Sequence, residues 1–360
     1  MSRSLTMKKV DGKPGVVYYP LELNQNPKPV PKPGQLLVRI QAAALNHRDL
    51  FQRQHLYPSL SFENPLLADG AGIVEAVGPD TKSSWVGKRV LITPSRGWDS
   101  ALEGPEDNKF STIGGSSVYE DGTAQDYIAI SEDEVEIAPA HLNAAEAAAL
   151  PLVGLTGWRA LFTKSANAEE GRNILVTGIG GGVALAVLQF AVAKGCNVYV
   201  TSGSEEKLRR ARDLGAKGGV LYKGKDWHVE LAQLLPGDRP YFDAIVDGAG
   251  GDIMKRAVRL LKPGGVVSSY GMTLSPKMDW LMQAVMKNIE IRGSTMGSRG
   301  EFRDMVRFVD EHQIRPVVSR VVKGLDNLKE IEELFGELRD GTQFGKLVIQ
   351  ISDDAASAKL

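Results

Sequence analysis

Cysteine is all but missing: Cys196 is the single thiol among 360 residues. That excludes disulfides within one chain and any thiolate metal cluster, which needs several sulfurs at short spacing. Histidine is scarce as well. His47, His55, His141, His228 and His312 stand singly along the chain, whereas a catalytic zinc needs about three N, O or S ligands converging on one point. No metal site is expected. Neither sign of charge is in excess, since 43 Lys and Arg face 44 Asp and Glu for a formal net charge of −1. Without a basic block, nucleic acid and anionic membranes are poor partners. The longest apolar stretches reach about half of the roughly 20 residues that cross a bilayer. The opening MSRSLTMKKVDGKPG has no apolar core of a secretory signal, so an intracellular protein is expected.

The last three residues, Ala358-Lys359-Leu360, resemble the S-K-L peroxisomal address. The acidic SDDAAS before them adds nothing to that signal. The expected location is therefore peroxisome or cytoplasm, with an import receptor as a candidate partner.

Within these bounds the chain has two textures, and its length suits two domains. The first 145 or so residues carry short β-like runs broken by Pro and Gly, among them QLLVRIQAAAL, AGIVEAVG, GKRVLIT and DYIAI. A mostly-β, partly open barrel is expected there. From about residue 150 strands alternate with helices: NILVTG, NVYVTS, SEEKLRRARDLGA, FDAIVDGAG, GDIMKRAVRLL and GGVVSSYG. That alternation, rich in Val and Ile, predicts an α/β fold with a doubly wound parallel sheet. After about 295 come one more helix (EFRDMVRFVDEHQ), a strand, an acidic helix and a last strand, GKLVIQI.

The stretch VTGIGGGVA, residues 177–185, joins the first of these strands to a helix. Glycines at such a junction let backbone N–H groups approach a phosphate, and the helix dipole favours the negative charge. The strict G-x-G-x-x-G pattern fails from Gly178, because its last position is Val183. Read as Gly178-x-x-Gly181-x-x-Ala184, the stretch fits a variant one residue longer, with Gly182 beside it. Opening a βαβαβ array, it is expected to bind a dinucleotide. NAD sites place an Asp or Glu at the end of the second strand, for the ribose 2′-OH. Here Ser202 stands there, followed by Ser204 and Lys207. Hydroxyls and a lysine accept a 2′-phosphate that a carboxylate would repel. Each good charge-assisted contact is worth about 1.5–3 kcal/mol, or roughly 10–100-fold. NADP(H) is the expected cofactor, although Glu205 and Glu206 must point away from it.

Several further landmarks run nearly the whole length: ALNHRDLFQRQHLYP, LLADGAGIVEAVGPD, VGKRVL, GTAQDYIAI, EAAALPLVGLTGWRAL, LLKPGGVVSSYG and GTQFGKLVI. With the glycine stretch, they resemble a medium-chain dehydrogenase/reductase of the quinone-reductase and zinc-less alcohol-dehydrogenase branch. The resemblance implies a GroES-like catalytic domain over residues 1–145, completed by 297–360, and a Rossmann NADP-binding domain over 146–296. It places the active site in the cleft between them. It also marks departures. Zinc-dependent members carry Cys and His where this chain has Asn46 and Ala68, and four cysteines in the lobe that here reads SRGWDSALEGPEDNKFSTIGGSSVYEDG. Their proton-relay Ser or Thr is Arg48.

Carried over by resemblance, Asn46 lies near the nicotinamide ribose and belongs with Tyr57 to the catalytic set. Tyr57 either donates a proton, as in enoyl reductases of this superfamily, or packs against Pro58. Further cofactor contacts carried over are Thr156, Tyr222, Gly248, Gly271, Met272, Met296, Gly297 and Lys346. Asp49 is expected to be an ionised partner of Arg48 or Arg53. The family also implies a homodimer, through an edge strand near GGVVSSYG. Three activities stay open: reduction of activated C=C bonds or quinones, zinc-less alcohol/carbonyl oxidoreduction, or cofactor binding without turnover. A small-molecule substrate is implied by the first two.

Overall fold

The computed structural model describes residues 1–352, so the terminal Ala358-Lys359-Leu360 lies outside the described residues. The chain divides into two compact units: Met1–Leu152 with the chain from Ser298 onward, and Val153–Gly297. The first boundary falls after Leu152, beyond the expected 145, because the helix Ala144–Ala148 packs on the strands of the first unit. The second falls one residue beyond the expected 296.

The first unit is built on a seven-stranded sheet. Its spine is Gln35–Ala44, ten residues of which seven are apolar, enough to bury both faces. It pairs antiparallel with Asp69–Val77, Tyr127–Ser131 and Lys346–Gln350. The last strand runs beside the first long one, so the C-terminal segment joins the sheet of the N-terminal unit. Leu36, Val38, Ile40, Ile349, Leu334 and Phe335 share the core. This register has a consequence for chemistry. Ala44 stands opposite Asp69 on one side and Val348 on the other. Asn46, Asp69 and Lys346 thereby gather at one end of three neighbouring strands.

The second unit is a six-stranded parallel sheet in the order Gly218–Leu221, Asn197–Ser202, Asn173–Val176, Phe242–Asp247, Leu261–Ser269, Glu290–Gly293. Chain order reverses between Asn173–Val176 and Phe242–Asp247, and ligands of such sheets bind outside the strand ends at that switch point. The glycine stretch leaves the sheet there. GGVVSSYG is not an edge: Leu261–Ser269 is paired on both sides, and Glu290–Gly293 forms the border. A run of buried Val and Ser cannot tell a fifth strand from a sixth. Among the described residues no helix is long and apolar enough to cross a membrane.

Candidate functional site

Gly178 and Gly180 adopt φ +65° and +128°, a backbone region that side chains disfavour. A Cβ on Gly178 would meet nothing within 4 Å, leaving the loop surface open. The helix Gly182–Ala193 begins immediately after Gly181, whose lack of a side chain leaves the first N–H groups uncapped. Gly182 and Val183 thus open a helix whose N-terminus suits a phosphate. On Gly180 a Cβ would lie 3.0 Å from Lys207 Cδ and 3.3 Å from its Nζ, so Lys207 rests against the loop. The pyrophosphate cradle and the lysine are neighbours.

Ser202 ends its strand buried, and its Oγ accepts from the Ser204 N–H at 3.2 Å. It shapes the turn, while half-buried Ser204 presents its hydroxyl at the head of the helix Glu205–Asp213. Glu205 and Glu206 are exposed, and Lys207 is half-buried. Burial, and then Arg210, draw the Lys207 pKa down. The Tyr222 hydroxyl lies where a Cβ on Gly203 would be only 2.8 Å away, and the Tyr222 N–H donates to Ser202 O. Ser202, Ser204 and Tyr222 are therefore one cluster, and Lys207 lies on the helix that Ser204 opens.

Beyond the switch point, a Cβ on Gly271 would stand 3.1 Å from Gly248 O, and one on Gly250 3.2 Å from Met272. Gly248, Gly271 and Met272 meet at the strand ends. Thr156 Oγ1 approaches Met296 Sδ at 3.7 Å, and Met296 is left-handed at φ +45° just before Gly297, the unit's last residue. One residue of this region escaped the sequence reading. Asp247 accepts from Thr177 Oγ1 at 2.5 Å and from Gly250 N at 2.8 Å, tying the two strand ends at the switch point together. Its signal was the turn FDAIVDGAG, where a buried Asp follows an apolar strand.

In the first unit, Lys346 spends all three ammonium hydrogens internally: on Leu45 O (2.6 Å), Asn46 Oδ1 (2.6 Å) and Asp69 Oδ2 (2.7 Å). It is 4 % exposed. No donor remains for a cofactor, which corrects the role expected of it. Asn46 is similarly engaged, because its Nδ2 donates to Asp69 Oδ2 at 2.9 Å. It braces the strand end rather than offering a free amide. Asp69, within the landmark LLADGAG yet passed over there, is the centre: its other oxygen accepts from the Leu152 N–H at 2.6 Å.

Next to this network the helix His47–Arg53 carries Arg48, whose guanidinium lies over the Tyr57 ring, 4.9 Å from its centroid. Arg48 also donates to Ile113 O (2.9 Å) and Gly114 O (3.0 Å). The Tyr57 hydroxyl is 3.4 Å from Thr112 Oγ1. Tyr57 thus packs against an arginine and a threonine. Asp49 pairs with Arg48 at 3.2 Å as expected and accepts from Asn46 N at 2.7 Å. Complete burial nevertheless outweighs that pairing and pushes its carboxyl up to about 6, so it is less firmly ionised than expected. Arg53 turns instead to Glu332.

A zinc ion does not fit these side chains. Asn46 has both amide atoms engaged by Lys346 and Asp69, and Ala68 offers no donor. Among the described residues no three His, Cys, Asp or Glu converge as metal ligands. The lobe that would need four thiols is organised otherwise. The Glu106 carboxylate accepts from the N–H groups of Asp99, Ser100 and Ala101 at 2.6–2.8 Å. Trp98 packs edge-on to Phe110, and Arg96 bridges Asp121 and Glu134.

Residues 32–140 match the family described as alcohol dehydrogenase GroES-like domain, and residues 182–311 the family described as zinc-binding dehydrogenase. A zinc-type alcohol dehydrogenase-like protein, YogA, of Leptosphaeria maculans is 56% identical over 98% of this chain and 100% of its own length. A solved NAD-dependent alcohol dehydrogenase is 32% identical with TM-score 0.83, over 97% of this chain and 100% of its own. The fold is also that of crotonyl-CoA carboxylase/reductase AntE in complex with NADP, at 22% identity and TM-score 0.79, over 98% of this chain and 94% of its own.

Proposed function

The chain belongs to the medium-chain dehydrogenase/reductase superfamily, and from that footing we propose an NADPH-dependent, metal-independent reductase of activated C=C bonds or quinones. It is an oxidoreductase of the alcohol-dehydrogenase type with a pyridine-nucleotide fold. The observation that carries the finer reading is the donor set around Asn46 and Ala68, whose polar atoms are taken up by Lys346 and Asp69. Those residues supply no Lewis acid to polarise an unactivated carbonyl. The acceptor must then be electron-poor already, as an enone, enoyl compound or quinone is.

The glycine turn at Gly178–Gly182 with Ser204 and Lys207 would hold NADPH, which would supply a hydride for the β-carbon. Hydrogen-bond donors stabilise the charge that spreads onto the carbonyl oxygen, and the Tyr57 hydroxyl gives its proton to the α-carbon. The cluster of Ser204, Lys207 and Tyr222, without a carboxylate at the strand end, supports NADPH over NADH. A second copy of the chain is the proposed partner. Trp280, Met282 and Met286, which precede the border strand Glu290–Gly293 in the chain, are exposed apolar side chains. A monomer in light scattering would remove that partner.

The function is tested by following NADPH absorbance with 2-cyclohexen-1-one, a benzoquinone, an aldehyde and an enoyl-CoA. Turnover of the enone, quinone or enoyl compound with less than one zinc per chain is expected. Reduction of the aldehyde alone transfers the assignment to a zinc-less carbonyl oxidoreductase. Tight NADPH binding without any turnover leaves a cofactor-binding protein.

A further inference from the structure

Arg48 carries an anomaly for an ordinary structural arginine. It is nine-tenths buried, yet its Nε has no hydrogen-bond partner. A buried donor without an acceptor costs free energy and calls for an explanation. The rest of the guanidinium is held from three directions: Asp49 Oδ1, Ile113 O and Gly114 O. Its flat face is what remains, and that face covers the Tyr57 ring. The same two carbonyl contacts fix the segment that follows Thr112, whose hydroxyl is the neighbour of the Tyr57 oxygen. Arg48 therefore grips both sides of the Tyr57–Thr112 contact.

We propose that Arg48 is a positioning residue for Tyr57: it holds the phenol in place for proton donation and sets a fixed positive charge against the ring that becomes anionic when the proton leaves. The inference rests on the proposed reaction. In that step the Tyr57 O–H bond breaks, its proton forms the new C–H bond at the α-carbon, and the electron pair stays on the phenol oxygen. Water restores the proton before the next turnover. A cation over an aromatic face is attracted to the neutral ring already, and an oxygen bearing a full negative charge strengthens the attraction as the transition state is approached. That difference between ground and transition state is what accelerates a step.

The test is a double-mutant cycle with 2-cyclohexen-1-one and NADPH. Arg48→Met is expected to lower kcat at least tenfold, to enlarge the solvent deuterium isotope effect and to leave NADPH affinity within twofold. Arg48→Lys, which keeps the charge without the flat fork, is expected to recover part of the loss. In a Tyr57→Phe background Arg48→Met is expected to add less than twofold, because the partner it acts through is gone. Gln52 also donates to Gly114 O and Gly115 O, so the loop keeps a support in the variant, and urea midpoints verify folding. Should Arg48→Met not fold, Arg48→Lys in both backgrounds gives the same cycle. Equal losses with and without the Tyr57 hydroxyl would overturn the inference while leaving the reductase reading intact. A wild-type protein that turns over no activated alkene overturns both.

Discussion

Lys207 lies across Gly180, so close that a Cβ on the glycine would stand 3.0 Å from the lysine chain. The two residues come from different crossovers of the parallel sheet, and their meeting places an ammonium beside the phosphate-binding turn. Attraction of that kind falls on a 2′-phosphate and not on a 2′-hydroxyl.

NADPH should accordingly bind at least tenfold tighter than NADH. Ser202→Asp is expected to reverse the order, since a carboxylate at the strand end repels the phosphate and can bond the ribose hydroxyl. Lys207→Gln should weaken NADPH more than NADH. Calorimetric titration of both nucleotides reads all three, and equal wild-type affinities would refute the assignment of the cluster.

The buried ion pair of Lys346 with Asp69 makes a prediction about stability. Lys346→Met keeps the aliphatic volume but strands a fully buried carboxylate whose Oδ2 then keeps only Asn46. Removing one partner of a buried pair typically costs about 3–5 kcal/mol. Urea unfolding of the variant should show a loss of that order. A loss below about 1 kcal/mol would mean that water or Asn46 replaces the ammonium.

Much of this is legible in the sequence alone. The alternation of strand and helix, the glycine turn and the cluster at Ser202, Ser204 and Lys207 depend on local spacing, which sequence preserves. Lys346 was misread for a different reason. A lysine at a strand start looks like a surface or ligand cation, and its burial depends on the register that brings Asp69 and Asn46 to the same sheet end. Asp69 and Asp247 were passed over because partners 277 and 70 residues away decide their roles. The border strand was misplaced because sheet order is a property of pairing, which no single strand records.

Asp49 links the site to pH. Burial raises its carboxyl from the usual 3.8 to about 6, so the folded protein holds this proton more tightly than the unfolded chain. The resulting stabilisation is full below about pH 4, declines as pH rises and is gone above about 6. At roughly 1.4 kcal/mol per pH unit the swing is at most about 3 kcal/mol. Asp49→Asn cannot titrate there. Urea midpoints at pH 5 and pH 7.5 should therefore differ more in the wild type than in the variant, with wild type gaining at the lower pH. Identical differences in both proteins would show that Asp49 stays ionised throughout, held by Arg48.

Tyr57 carries the mechanistic prediction. Its hydroxyl meets Thr112 Oγ1 at 3.4 Å, a contact long enough to yield when a better acceptor arrives. General acid catalysis by a positioned side chain typically supplies about 10²–10⁴ in rate. Tyr57→Phe keeps the ring that Arg48 covers and deletes only the hydroxyl, so turnover of an enone should fall at least tenfold with NADPH affinity nearly unchanged. Water can enter the space of one oxygen and donate in its place, which pulls the loss toward the lower end. Thr112→Val separates the two cases: if Thr112 merely orients the phenol, its loss is small in the wild type and absent in Tyr57→Phe. Wild-type turnover in Tyr57→Phe would make the tyrosine a packing residue and assign the proton to solvent.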